Sequence, residues 1–267
     1  ATGVLPVFCG GASKAVDLQL DHTKTYCARL RLGMQTDTGD ITGTVLETAP
    51  VTAGEKELLA VLPRFLGPQM QTPPMYSAVK INGQPLYKLA REGVTVERKA
   101  RPIEILDIRY GGSPVENEYV LTVRCSKGTY IRTLCQDVGE VLGCGACMES
   151  LLRTRVGEFA LADAIKLSEV EAYVIAHRSD AAETEAMQLP FLQAVDTVFL
   201  KYESVTVDGQ FRKYLYNGNR LRPEMFLEEY ESMRMAPVRV YDDEGAFFGI
   251  YEYQAEKEDY KPLKVFK

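Results

Sequence analysis

Histidine is scarce in this chain: only His22 and His177 occur among its 267 residues, and the two lie too far apart in sequence to show metal-ligand spacing. No apolar run approaches the roughly 20 residues that span a bilayer, which reads as a soluble, non-membrane protein. Cysteine is thin for the length, with Cys9, Cys27, Cys125, Cys135, Cys144 and Cys147. That is not the dense framework of a small secreted domain, and free thiols in a reducing cytoplasm are expected. Cys144-Gly145-Ala146-Cys147 is a CxxC without a second pair to complete a four-ligand zinc site. It also follows a helix end, whereas a thioredoxin-like redox motif opens a helix after a strand. Buried or incidental thiols are the reading, with no metal and no cofactor expected. Internal repeats and low-complexity tracts are absent.

Net positive charge is lacking too, the formal balance being -6, but the acid is unevenly spread. Residues 1–166 carry 19 Lys and Arg against 18 Asp and Glu, and the remainder carries 12 against 19. A nearly neutral first part can still present a basic face, so the total excludes no nucleic-acid partner. The apolar fraction of 46% and charged fraction of 25% are those of a globular protein of one large or two ordinary domains.

In KTYCARLRLG, Tyr26, Ala28, Leu30 and Leu32 alternate with Cys27, Arg29 and Arg31, the mark of a half-buried strand with two arginines on one face. TDTGD, Thr36 to Asp40, reads as a loop. Glu55 to Phe65 has helical spacing until Pro63 disturbs it. Tyr119 to Cys125 alternates as a second strand. From Ile131, the positions Leu134, Cys135, Val138, Val141 and Leu142 make an amphipathic helix closed by Gly143. Ser126 to Thr129, between that strand and that helix, joins backbone N–H groups to Lys127 and favours an anion; the upstream glycine of a P-loop is missing. A helix is predicted over Ser168 to His177 with Ser168 as N-cap and Glu171 completing the capping box. A linker at 178–190 and a small β domain built from VRVY and AFFGIYEY follow.

Gln71 to Pro102 is the most basic stretch, with Lys80, Lys88, Arg91, Arg98, Lys99 and Arg101 against Glu92 and Glu97, and with Tyr76 and Tyr87 interleaved. It suits backbone phosphates and unstacked bases, or is a solvated excursion. Asp37 and Asp40 are candidate acid/base carboxylates, although their setting favours structural use in a turn. Arg132, off the apolar stripe in the first helical turn, is placed to hold a carboxylate bidentately, without the sequence saying which.

Taken in order, ATGVLPV at residues 1–7, KTY, TDTGD, PPMYSAVK at 73–80, CSKGTYIRTL at 125–134, LGCGA and LLRTRVG at 151–157 resemble the bacterial tRNA pseudouridine synthase B (TruB) family over residues 1 to about 166. The resemblance implies an α+β pseudouridine-synthase fold, a mixed and largely antiparallel sheet with flanking helices. It implies a catalytic domain over 1–166 with a thumb-like RNA-binding insertion at 71–102, a helix and linker at 167–190, and a PUA-like RNA-binding β domain at 191–267. The implied activity is that of an isomerase converting the T-loop uridine of tRNA to pseudouridine. Its partner would be the T-arm stem-loop, its state monomeric and its location cytoplasmic.

By the same resemblance Tyr26 matches the tyrosine that stacks on the flipped base and helps remove the C5 proton, and Arg132 the arginine that pairs with the nucleophilic Asp. Tyr130 and Leu151 match residues lining the uracil pocket, and Lys14 and Lys127 match RNA-contacting lysines. The family's GTLDPM would stand directly before Ala1, and its nucleophilic Asp is matched by no residue of this chain, Asp37 and Asp40 included. The 267-residue chain is therefore expected to start just after that motif, to be inactive alone and to fold poorly. The alternative is a non-catalytic RNA-binding or tRNA-chaperone protein, for which Ala1 would follow an initiator Met directly.

Overall fold

The computed structural model describes residues 2–18, 22–177, 189–227 and 236–266. The chain divides into two compact units, Ala1–Leu5 with Asp21–Ala164, and Pro6–Leu20 with Ile165–Lys267. The first is built from β1 (Thr2–Gly3), β2 (Lys24–Leu32), β3 (Met34–Thr36), β4 (Val45–Thr48), α1 (Glu55–Val61), β5 (Gly67–Gln71), β6 (Lys80–Ile81), β7 (Gln84–Pro85), α2 (Leu86–Arg91), β8 (Arg101–Tyr110), β9 (Glu118–Cys125), α3 (Ile131–Val141), β10 (Ala146–Val156) and β11 (Phe159–Ala160). Its main sheet runs β1-β10-β2-β9-β8-β5, with β11 attached to β10. Every pairing is antiparallel except that of β1 with β10.

The alternation expected for β2 is observed: Ala28, Leu30 and Leu32 are buried and pack in one cluster with Ile131, Leu134, Cys135 and Val138 of α3. Helix and strand approach closely where Gly139 passes the start of β10; a Cβ there would lie 2.2 Å from the Ala146 amide nitrogen. β10 is longer than β2 and meets it through two β-bulges, between Met148 and Ser150 and between Arg153 and Arg155. The helix expected from Glu55 is α1, which tightens at Leu62–Phe65 into a 3₁₀ turn with Pro63 in its first positions.

The basic excursion is more ordered than its composition suggests. β6 and β7 form a hairpin about Asn82 and Gly83, both at positive φ, the two-residue turn whose twist matches flanking strands. α2 follows, with Leu86 fully buried.

The second unit contains α4 (Leu167–Ala176), β12 (Ser204–Thr206), α5 (Arg212–Tyr216), β13 (Val238–Tyr241), β14 (Phe247–Gln254) and β15 (Asp259–Val265), with the sheet order β12-β13-β14-β15. α4 starts earlier than predicted. Lys166 is its N-cap, and Glu169 rather than Glu171 closes the first turn by accepting from the Lys166 amide. Residues 178–188 of the expected linker lie outside the described residues. Pro6–Leu20, counted from sequence with the first domain, packs in the second unit. Ala15 is buried there with Phe199 and Ile250, and apolar contact of this kind outweighs proximity in sequence.

Asp137 on α3 is half-buried, and that burial, reinforced by the Glu140 carboxylate, pushes its pKa up to about 6. A carboxyl whose native pKa is raised holds its proton more tightly folded than unfolded, so stability falls as pH climbs from about 4 through about 6. Asp137→Asn should melt like the parent near pH 4 and be more stable by about 1–3 kcal/mol above pH 7, as read from denaturant titrations at both pH values. Gly139→Ala, which sets a methyl against backbone, should cost about 1–3 kcal/mol by the same measurement.

Candidate active site

The first unit gathers its polar chemistry where α3 begins. β9 ends at Cys125, paired with Lys24, and Ser126–Tyr130 carry the chain directly into α3, so the helix N-terminus and Tyr26 lie at the same end of the sheet. Arg132, in the first turn of α3, donates from Nη1 to the Thr38 carbonyl at 3.2 Å and to Asp40 Oδ2 at 3.1 Å, and from Nη2 to the Tyr76 carbonyl at 2.7 Å. One guanidinium thus joins the helix, the 36–44 loop and the root of the basic excursion. The Arg132 and Asp40 side chains are only 21% and 20% exposed, which limits screening of the pair by salt.

The 36–44 loop is held from several directions. Ile41 donates to the Met148 carbonyl and Met148 to that of Gly39, each at 2.9 Å. Asp37 Oδ1 accepts from the Thr44 amide at 2.8 Å, the structural use expected of it. Asp40 does that and more: its Oδ1 accepts from the Thr42 amide at 3.1 Å and hydroxyl at 2.5 Å, leaving Oδ2 for Arg132. Burial acts to raise the Asp40 pKa, but the Thr42 hydrogen bonds and the Arg132 charge outweigh it and hold the carboxyl below its usual value. With both oxygens engaged and ionised, Asp40 is an anchor and not a free nucleophile. The carboxylate facing Arg132, which the residue pattern alone left unnamed, is Asp40 in this structure, held through one oxygen and not bidentately as expected because Thr42 takes the other; its turn chemistry had concealed it.

Tyr130 is fastened through its backbone. Gln71, 5% exposed at the end of β5, donates from Nε2 to the Tyr130 carbonyl at 3.1 Å and accepts at Oε1 from the Tyr130 amide at 2.8 Å. Sequence reasoning passed over Gln71, whose only signal was its place at the edge of the Pro-rich stretch. Tyr26 and Leu151 are half-buried against the core of the unit. Tyr26 stands opposite Arg153 and Leu151 opposite Ala28, and facing residues in a sheet share one side, so Tyr26, Leu151 and Arg153 lie on the face covered by α3. Burial raises the Tyr26 pKa and the neighbouring Cys125 adds to this, against the lowering influence of Arg153; the phenol is protonated at neutral pH.

Lys127 is exposed in the Ser126–Thr129 turn, where Glu104 donates its amide to Ser126 Oγ at 2.9 Å. Lys14 belongs to the second unit, with its Nζ donating to the Val265 carbonyl at 3.0 Å. The arginine face of β2 is internally neutralised: Arg29 and Arg31 approach Glu118 at 3.4 and 3.6 Å, and Arg31 approaches Glu149 at 3.3 Å. Lys80, Lys88, Arg91, Lys99 and Arg101 differ, being exposed and making no ion pair among the described residues. Cys144 and Cys147 are buried, and burial pushes the Cys147 thiol up to about 11, far from the thiolate that redox exchange requires. No group of three or more His, Cys, Asp or Glu among the described residues is arranged to hold a metal ion.

Residues 1–131 match the TruB family pseudouridylate synthase N-terminal domain, and residues 132–204 the tRNA pseudouridylate synthase B C-terminal domain. The chain is 45% identical over 276 residues to the tRNA pseudouridine synthase B of Lachnoclostridium phytofermentans, covering 100% of this chain and 87% of that protein. It is 44% identical over 253 residues to the tRNA pseudouridine synthase B of Ectopseudomonas mendocina, covering 94% and 78%. Among solved structures, a crystal structure of a Cbf5-Nop10-Gar1 complex superposes with a TM-score of 0.66 at 21% identity over 99% of this chain and 73% of that one. An H/ACA RNP bound to a substrate RNA containing 2'-deoxyuridine gives 0.62 at 17% identity over 96% and 70%. These structures agree with the pseudouridine-synthase fold expected from sequence, and the sequence matches go further: the chain belongs to the TruB family of tRNA pseudouridine synthases.

Proposed function

We propose that the chain binds the T-arm of tRNA as a cytoplasmic monomer and receives the T-loop uridine beside Tyr26, Leu151 and Tyr130, at the site where its family isomerises uridine to pseudouridine. The observation that carries this reading is that Lys80, Lys88, Arg91, Lys99 and Arg101, exposed and without a carboxylate partner among the described residues, stand on one excursion whose root is tied to Arg132 through the Tyr76 carbonyl. A thumb that grips phosphate is thereby registered against the pocket. Lys127, exposed beside the start of α3, extends the same basic edge. Lys14, in the second unit, is a further RNA-binding lysine on this reading.

The chemistry requires breaking the N1–C1′ bond, turning the uracil and rejoining it through C5. The base must first leave its stack at a cost of a few kcal/mol, and stacking on an aromatic ring, about 1–3 kcal/mol, offsets much of that. Tyr26 supplies the ring. Arg132, with Asp40 fixing it from behind, presents positive charge to a carboxylate nucleophile. None of the aspartates in the chain matches that nucleophile, and Asp40 is committed to Arg132 and Thr42. Binding without turnover is therefore expected of the 267 residues alone, since the roughly 8–23 kcal/mol by which enzymes lower barriers is not recovered from stacking.

The test is to titrate the chain with a T-arm stem-loop and with an unrelated hairpin of equal length, and to assay the first for pseudouridine. Preferential T-arm binding without product is expected; equal affinity for both hairpins would sink the binding claim, and detectable product the inactivity claim. Lys80→Ala combined with Arg91→Ala and Lys99→Ala should weaken T-arm binding and flatten its dependence on log salt by about one for each phosphate no longer neutralised.

A further inference from the structure

Arg153 is a neighbour of Tyr26 without an assigned role, yet its position is unusual. On β10 it stands directly opposite Tyr26 of β2, immediately before the second bulge. Its backbone and side chain both engage the strand on the other side: the Val4 amide donates to the Arg153 carbonyl at 2.9 Å, and Arg153 Nε donates to the Val4 carbonyl at 2.7 Å. Gly3, which pairs with Arg153, comes so close that a Cβ on it would stand 2.1 Å from the Arg153 oxygen, and its φ of 108° suits no side chain. Val4 is buried behind this contact. The Arg153 side chain faces Tyr26 across the strand pair and acts to lower the Tyr26 pKa. The Arg153 side chain is thus held at Nε by the Val4 backbone, and it shares a face of the sheet with the half-buried phenol opposite.

We propose that Arg153 is a positioning residue for Tyr26, a clamp between the Val4 backbone and the tyrosine ring that sets the plane on which the turned-out base stacks. The inference rests on the reading of Tyr26 as that stacking ring. A ring free to rotate about its side-chain torsions would offer its edge as often as its face, and ordering it on binding would consume part of the stacking gain. A cation held by a backbone carbonyl fixes the hydroxyl end without occupying either face. The guanidinium also favours the phenolate, opposing burial and Cys125, which gives the contact a signature separate from packing.

The experiment uses the full 267-residue chain with fluorotyrosine at position 26, titrated by fluorine NMR, and a T-arm stem-loop carrying aminopurine next to the T-loop uridine, whose fluorescence rises as the neighbouring base unstacks. In Arg153→Met the phenol should titrate at higher pH, and the fluorescence rise per bound RNA should fall at least about fivefold, the equivalent of the weaker end of base–aromatic stacking. RNA affinity, set mainly by phosphate contacts, should stay within about threefold. Arg153→Lys, which keeps the charge, should restore most of the titration. A lowered melting temperature with unchanged titration and unchanged fluorescence per bound RNA would make Arg153 a strand staple and overturn the proposal. If the parent chain itself gives no fluorescence rise, the uridine-site reading fails, and the Tyr26 titration alone then decides whether Arg153 holds the ring.

Discussion

The guanidinium of Arg132 is the constraint on which the first unit's polar architecture depends. Three segments far apart in sequence, the 36–44 loop, the root of the basic excursion and the first turn of α3, meet at one point. Two carbonyls and a carboxylate, one or more from each of the other segments, converge there on a planar donor whose geometry fixes their mutual arrangement. Charge-assisted hydrogen bonds of this kind contribute about 1.5–3 kcal/mol each, but their larger effect is mutual orientation. Asp40 is ionised because Thr42 and Arg132 favour it, and Arg132 is oriented because Asp40 is fixed by its own turn.

The helix that carries Arg132 was legible because its apolar stripe is continuous and its partner strand alternates without a break; both signals come from contacts within a few residues. Asp40 was not legible as the arginine's partner, since Asp and Gly in a short polar stretch are sufficiently explained by turn geometry, and only the fold shows that one oxygen was left over. Gln71 and Arg153 escaped notice for a related reason: each acts by bonding to distant backbone, and backbone leaves no mark on the identity of the residue it belongs to. The Asn82-Gly83 turn, by contrast, was a local signal overlooked amid the surrounding prolines and lysines. The early N-cap of α4 reflects how little separates competing caps two residues apart, each with a glutamate three positions on.

Several arginines in this protein are neutralised internally. Arg29 and Arg31 face Glu118 and Glu149. Arg212 faces Asp243 and Glu244, and Arg220 is held by Asp259. A count of basic residues therefore overstates what an RNA backbone would encounter. The net charge of -6 understates it at the basic excursion, where several cations together lack carboxylate partners among the described residues. The local arrangement of pairs, and not the sum, describes the field that a phosphate approaching that excursion would feel.

The bulges of β10 decide which residues see the core at all. Met148 and Leu151 are an odd number of positions apart, and in an unbroken strand they would point to opposite sides of the sheet. The extra residue between Met148 and Ser150 resets the parity, so that Met148 stands against Leu30 and Leu151 against Ala28 on one face, with Arg153 opposite Tyr26; the second bulge then returns Val156 to the register of Lys24. The identity of the residues in this strand thus matters less than their count. Deletion of Glu149 would leave every other named side chain present and turn Leu151 and Arg153 to the opposite face of the sheet, away from Tyr26 and α3, a displacement that no comparison of residue types would register.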